Sequence, residues 1–343
     1  MVDNRGMSRR TTNRQPSMGD VAAAVGVSKT TISRYLHGNF GYMSDETKAR
    51  IAQVIDELGY RPNRMAQGLK ATVSHMIGVT IADIGNPFSS LLLKGIQQVC
   101  RERDVQLLVS DSNNRRELEQ ANIESLLDAQ VDGLIVNTVG GNDTWLTAYC
   151  AADGHKPMVL LDRIVQPIAC DCVQTDNPAA VSAMMGHLRE RGFDAVVFVT
   201  RPTEGISTRT ARRGAVESYL RDGDVRGEIA VYETVDGLRA MLPQVLSRYA
   251  DGRVCLFSNN EETMRDLLET LPQPLPDGVG LCAFAEELWA RFCGFGITCL
   301  DQRPIEMGRV AAETLMARVY DGADGPYGVM DVPARLCVFD STR

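Results

Sequence analysis

Residues 18–37 read Met18-Gly-Asp-Val-Ala-Ala-Ala-Val-Gly-Val-Ser-Lys-Thr-Thr-Ile-Ser-Arg-Tyr-Leu-His37. Two short helical patterns, Met18–Val25 and Ser28–Leu36, meet at Gly26-Val27, where the glycine permits a tight turn. Ala22 is small where the helices must cross, and Val21, Val25, Val27, Ile32 and Leu36 can pin them together. The second helix then presents Ser28, Lys29, Thr30, Ser33 and Arg34, short polar and basic groups that suit a DNA major groove. A third helix is predicted from Ser44 to Leu58, with Ser44 as N-cap and Ala49, Ile51, Ala52, Val54, Ile55 and Leu58 as one buried stripe. Gly59 ends it and Pro62 blocks continuation.

Charge divides the same way. The 343-residue chain carries a formal charge of −8, which by itself argues against a nucleic-acid partner. Residues 1–75, however, hold eleven Lys and Arg against six Asp and Glu, a net of +5, leaving −13 for the rest. A small basic head on a large acidic body points to nucleic-acid contact at the head. Residues 1–17 form a polar basic arm, read equally as a solvated tail or as a DNA-contacting one.

From Met76 onward, short β-rich runs alternate with longer helical ones. The strand runs are Met76–Ala82, Val105–Val109, Gly133–Val136, Met158–Leu161, Ala195–Thr200, Glu228–Tyr232, Val254–Phe257 and Val279–Phe284. Helices are predicted at Phe88–Arg103, Arg116–Ala129, Ala179–Arg191, Thr210–Arg221 and Glu261–Thr270. This alternation predicts two doubly wound parallel-sheet α/β lobes, with ligand binding in the cleft at the carboxyl ends of the strands.

The remaining signals exclude other classes. All nine cysteines lie at or after Cys100, with no C-x-x-C pair, which predicts reduced thiols and no metal site. The N-terminus lacks an apolar signal-peptide core and no apolar run approaches 18 residues, so a cytoplasmic protein without membrane contact is expected. No G-x-G-x-x-G, P-loop or G-x-S-x-G occurs, and the four histidines stand apart, which argues against an enzyme.

Asp20-Val-Ala, Gly26-Val-Ser-Lys-Thr-Thr-Ile-Ser-Arg34 and Arg61-Pro-Asn-Arg-Met-Ala-Gln-Gly-Leu69 resemble the headpiece and hinge helix of the LacI/GalR family of bacterial repressors. The resemblance covers nearly the whole chain. It implies an all-α helix-turn-helix headpiece on a periplasmic-binding-protein-like α/β body. The organisation expected is an arm at 1–17, a DNA-binding domain at 18–62, a hinge at 63–75 and an effector-binding, dimerising body at 76–343. Lobe one would hold about 76–175 plus 304–330, and lobe two about 176–302 plus 331–343. By the same resemblance Lys29, Thr30 and Arg34 read base edges, and Asn63, Arg64, Ala66 and Leu69 belong to a hinge that folds on DNA. Leu69 is either a minor-groove wedge or a core anchor beneath the linker.

The resemblance also places an effector pocket at Phe88, Asp111, Asn113, Asn137, Asp162, Arg163, Gln174, Asp176, Arg209, Arg212, Asn259, Glu286, Trp289 and Gln302. Two of these have plainer readings: Arg212 as a surface helix cation, and Asp176 as a helix cap. Where family members often carry paired acids that bind sugar hydroxyls, this chain reads Ala283-Phe-Ala-Glu-Glu-Leu-Trp289. Fewer carboxylates beside several arginines favour an anionic ligand. Together with Asn39-Phe-Gly-Tyr-Met-Ser44, this resembles the 2-ketogluconate and 2-keto-3-deoxygluconate repressor branch, whose sugar acid is an inducer. A neutral sugar, a purine and a corepressor remain the alternatives. No cofactor is expected. A single helix-turn-helix reads a short half-site, so the expected partners are a second copy of the chain and near-palindromic double-stranded DNA.

Overall fold

The computed structural model describes residues 16–36, 38–41, 43–60, 73–221, 223 and 225–343. The chain divides into two compact units, 1–74 and 75–343, described here separately.

In the first unit, α1 (Met18–Val25), α2 (Lys29–Leu36) and α3 (Asp45–Leu58) form a three-helix unit. Each start is capped by a serine. The Ser17 hydroxyl accepts from the Asp20 N–H while the Asp20 carboxylate accepts from the Ser17 N–H at 2.7 Å, and Ser44 accepts from the Thr47 N–H. Gly26 ends α1 at φ +81°, a left-handed conformation that favours glycine, and so turns the chain into α2. Val21, Ala22, Val25, Ile32, Ile51 and Tyr60 make the core, with Val27, Leu36, Val54 and Ile55 packed against it. Truncating Ile32 or Ile51 to Ala would cost about 2–5 kcal/mol. The stripe on α3 is narrower than predicted. Ala49, Ala52 and Leu58 are exposed, because α3 meets the pair α1–α2 along one edge only.

The second unit contains two six-stranded sheets. The chain runs β1 (Met76–Ile81), α4 (Pro87–Glu102), β2 (Gln106–Asp111), α5 (Arg116–Asp128), β3 (Gly133–Val136), α6 (Asp143–Ala151), β4 (Met158–Leu161) and β5 (Asp171–Thr175). It crosses to α7 (Asn177–Glu190), β6 (Ala195–Thr200), α8 (Ser207–Arg221), β7 (Arg226–Val231), α9 (Val235–Ser247), β8 (Val254–Ser258), α10 (Glu261–Thr270), β9 (Val279–Phe284), α11 (Glu287–Phe292) and β10 (Thr298–Asp301). It then returns for α12 (Pro304–Val319) and β11 (Val329–Val332), and crosses again to β12 (Arg335–Cys337).

The strand orders are β11-β5-β4-β3-β1-β2 and β12-β10-β9-β8-β6-β7. Pairing is parallel except between β10 and β12, whose Cys299 and Cys337 face each other across an antiparallel edge. β3, β4, β6 and β8 are buried along their whole length, because helices cover both faces of each sheet. One face of the first sheet packs Leu92, Ile96, Ala311 and Leu315 of α4 and α12, and the other packs Ile123 and Leu146 of α5 and α6. The order reverses between β1 and β3 and again between β6 and β8, so a crevice opens at the carboxyl ends of these strands.

Eight strands were expected from sequence, and β5, β10, β11 and β12 add to them. β11 pairs with β5 in the first sheet, so the final crossing falls between Val332 and Arg335, two residues later than the expected boundary. Among the described residues no helix is long and apolar enough to cross a membrane, and no group of three or more His, Cys, Asp or Glu is arranged to hold a metal.

Candidate DNA interface and effector cleft

On α2, Ile32 points into the core, Thr30 and Arg34 are exposed on the opposite side, Lys29 is exposed at the flank nearer Ile32, and Ser33 is half-buried. The Lys29 stem runs alongside Gly19 of α1, where a Cβ would lie 3.0 Å from it. Ser28 has another job. Its hydroxyl accepts from the Thr31 N–H at 3.1 Å and lies 2.9 Å from Thr31 Oγ1, so it caps α2 while the residue stays exposed. The hinge residues Asn63, Arg64, Ala66 and Leu69, and most of the arm, lie outside the described residues.

In the second unit a cleft of about 970 Å³ runs between the lobes at the carboxyl ends of the strands. Nine of the sequence-predicted residues line it. Phe88, Asn137, Asp162 and Arg163 come from lobe one, Arg209, Arg212, Asn259 and Glu286 from lobe two, and Gln302 from the return crossover. Phe88 is held by Asn86, whose side chain caps α4 by accepting the Phe88 N–H at 3.0 Å. Asn137 is built in from both ends, accepting from the Ala82 N–H and donating to the Leu161 carbonyl.

Arg212 lies at the base, 3% exposed, and is not the surface cation of the alternative reading. Its Nε donates to Asn177 at 2.8 Å, Nη1 to the Asn259 carbonyl at 2.7 Å and Nη2 to Gln302 at 2.5 Å. The guanidinium lies 3.9 Å from the centre of the Phe284 ring. Burial brings its pKa down to about 10, opposed by the charge of Asp162 and reinforced by Arg163 and Arg209. Burial likewise raises the Asp162 carboxyl, with Arg212 and Arg163 pulling the other way. Asp162 sits at φ +69°, and its Oδ1 is buried without a hydrogen-bond partner, as is Oδ1 of Asn259. Buried acceptors left open on both walls are matched by hydroxyl donors on a ligand.

Five predicted residues do not line the cleft. Asp111 accepts from the Ile84 and Asn113 N–H groups and so staples the loop after β1. Asn113 is an exposed residue at φ +45° in the turn after β2. The Gln174 amide donates to Asp331, tying β5 to β11. Asp176 caps α7 by accepting the Ala179 N–H, the plainer of its two readings. Trp289 packs against the core of lobe two.

The cleft is not poor in carboxylates, contrary to expectation: Asp83, Asp162, Glu204, Glu233, Glu261, Glu262, Asp266, Glu286 and Asp301 all line it. Several are already engaged. Asp266 accepts from Arg201 at 2.8 Å and from the Tyr232 hydroxyl at 2.6 Å, Asp301 binds Arg335, and Glu286 accepts the Trp289 N–H. Arg201 and Arg265, with Asp83, Glu261, Glu262, Asp266 and Asp301, are among the lining residues that sequence reasoning missed. For Arg201 a signal was available: it directly follows β6, as Asn259 follows β8.

Residues 17–63 match the family described as "Bacterial regulatory proteins, lacI family". Residues 74–232 match "Periplasmic binding proteins and sugar binding domain of LacI family", and residues 185–342 a periplasmic binding protein-like domain. The HTH-type transcriptional regulator PtxS of Pseudomonas aeruginosa is 38% identical over 95% of this chain and 96% of its own. The chain belongs to the LacI family. The HTH-type transcriptional regulator KdgR of Bacillus subtilis is 31% identical over 96% of this chain and 98% of its own. A lac repressor dimer bound to operator and the anti-inducer ONPF superposes with a TM-score of 0.82 at 20% identity, over 96% of this chain and 99% of that one, a likeness of fold. These LacI-family relatives are transcriptional regulators rather than enzymes, and the family binds DNA operators and small-molecule effectors and works as dimers.

Proposed function

We propose that the chain is a repressor whose operator affinity is lowered by a sugar acid such as 2-ketogluconate. The observation that carries this reading is the partnering of the cleft's arginines. Among the described residues Arg163 and Arg209 donate only to backbone carbonyls, of Thr138 and Val139 and of Pro202, while Asp266, Asp301 and Glu286 are already engaged. Half-buried arginine with unspent donors suits a carboxylate. The likeness to PtxS and KdgR supports the same ligand class.

In this reading the chain acts as a cytoplasmic homodimer without cofactor, placing two α2 helices on a near-palindromic operator. Effector closes the lobes, shifts the dimer interface, separates the hinge segments and lowers DNA affinity. A coupling of about 1–3 kcal/mol is ordinary for such a switch. A thermal-shift screen of sugar acids, neutral sugars and purines, followed by operator titration with the hit, tests it. A stabilising sugar acid that releases operator supports the proposal. A hit confined to neutral sugars or purines overturns the ligand class, and tighter operator binding would make the ligand a corepressor.

A further inference from the structure

Arg163 and Arg209 reach the cleft from opposite lobes at the place where the lobes touch. Next to Arg163, the Ile164 N–H donates to the Ser207 hydroxyl in the first turn of α8 at 2.9 Å, two residues before Arg209. Beside this contact the lobes approach backbone to backbone. A Cβ on Gly140 would lie 2.0 Å from the Gly205 carbonyl oxygen. Arg163 Nη1 is anchored to the same loop through the Thr138 and Val139 carbonyls, both at 3.0 Å, and its Nε is buried without a partner. Among the described residues the one hydrogen bond of Arg209 is Nη1 to the Pro202 carbonyl at 3.1 Å. Burial, with repulsion from Arg163 and Arg201, holds the Arg209 guanidinium below its ordinary range, while Glu262 acts the other way. Arg212, by contrast, has Nε, Nη1 and Nη2 all engaged by protein acceptors.

Resting on the sugar-acid reading above, we infer that Arg163 and Arg209 are a cross-lobe carboxylate clamp and that Arg212 serves the rest of the ligand. Two like charges facing across the seam repel. A carboxylate between them replaces repulsion with charge-assisted hydrogen bonds to both lobes. The acid group then holds the lobes together at this contact, and a neutral sugar of the same shape binds without doing so.

The test uses the full-length protein with 2-ketogluconate and with fructose, which carries CH₂OH in place of the carboxylate. Binding is followed by calorimetry and compaction by small-angle scattering, with circular dichroism as the fold control. In the wild type only the acid compacts the protein. Arg209→Gln and Arg163→Gln each weaken the acid by about tenfold or more. Each changes fructose affinity by less than about threefold and abolishes compaction. Arg209→Lys keeps the charge but not the fork, so it restores part of the acid preference, and it decides the matter where the Gln variant does not fold. Variants that retain the wild-type preference for acid over fructose would overturn the clamp and leave the sugar-acid reading intact. A wild type that prefers fructose overturns both.

Discussion

Arg212 and Gln302 are joined by a 2.5 Å hydrogen bond from Nη2 to Oε1, and the same oxygen lies 3.2 Å from Thr175 Oγ1. Thr175 ends β5 at the first crossing between lobes, Gln302 follows β10 at the return crossing, and Arg212 stands on α8. One buried guanidinium thus bonds directly to one crossing and, through that shared oxygen, reaches the other. On the proposed function, a ligand that contacts it acts on both segments that join the lobes.

Arg212→Ala is therefore expected to abolish effector binding in calorimetry and to lower stability by about 3 kcal/mol. The loss leaves Asn177 Oδ1 without its donor and the buried Asp162 with Arg163 as its remaining cationic neighbour. A variant that still binds sugar acids normally would remove Arg212 from the site.

Arg34→Ala should cost about 1–3 kcal/mol at one base position and relax specificity there. Its side chain is exposed at the last turn of α2, clear of the headpiece core. Unchanged operator affinity in a gel-shift titration would take it out of the reading set.

Leu69→Ala should weaken operator binding and abolish the bend, because an inserted leucine unstacks a base step. A circular-permutation bending assay decides this. An unaltered bend excludes the wedge.

His187 supplies a pH-dependent contribution to stability. It is 8% exposed, with Nε2 2.9 Å from Thr342 Oγ1. Burial, aided by Arg191, holds its imidazole below the ordinary range, with Glu190 opposing. As pH falls the unfolded chain takes up the proton first. The contribution is present above about pH 6.5 and is lost as pH drops through the folded value. Thermal melts at about pH 7.5 and 5.5 should show a larger decline for the wild type than for His187→Gln. Equal declines would assign the effect elsewhere.

The strands legible in the sequence were those written as apolar runs, such as Ala195–Thr200 and Val254–Phe257. Asp171-Cys-Val-Gln-Thr175 and Val329–Val332 were not, because polar residues interrupt them and their partners are far away in the chain. Val173 pairs with Met330. α9 carries Pro243 in its interior, which reads locally as a break. The family resemblance placed Asn137, Asp162 and Asn259 in the pocket but also Asp111, after a strand, and Asp176, at the lobe crossover. Position alone does not tell whether a carboxylate faces the cleft or is consumed by nearby N–H groups, as those two are.

The headpiece was determined by the sequence itself, since its signals are local: serine caps, a glycine turn and an apolar set within about forty residues close one small core. The division of labour in the cleft was decided by tertiary structure alone. Asp266 accepts from Arg201 and from Tyr232, Asn177, Asn259 and Gln302 accept from all three nitrogens of Arg212, and among the described residues Arg163 and Arg209 donate to backbone carbonyls alone. Which arginine remains able to take an anion depends on partners brought together from distant parts of both lobes, and that allocation exists only once the lobes have folded against each other.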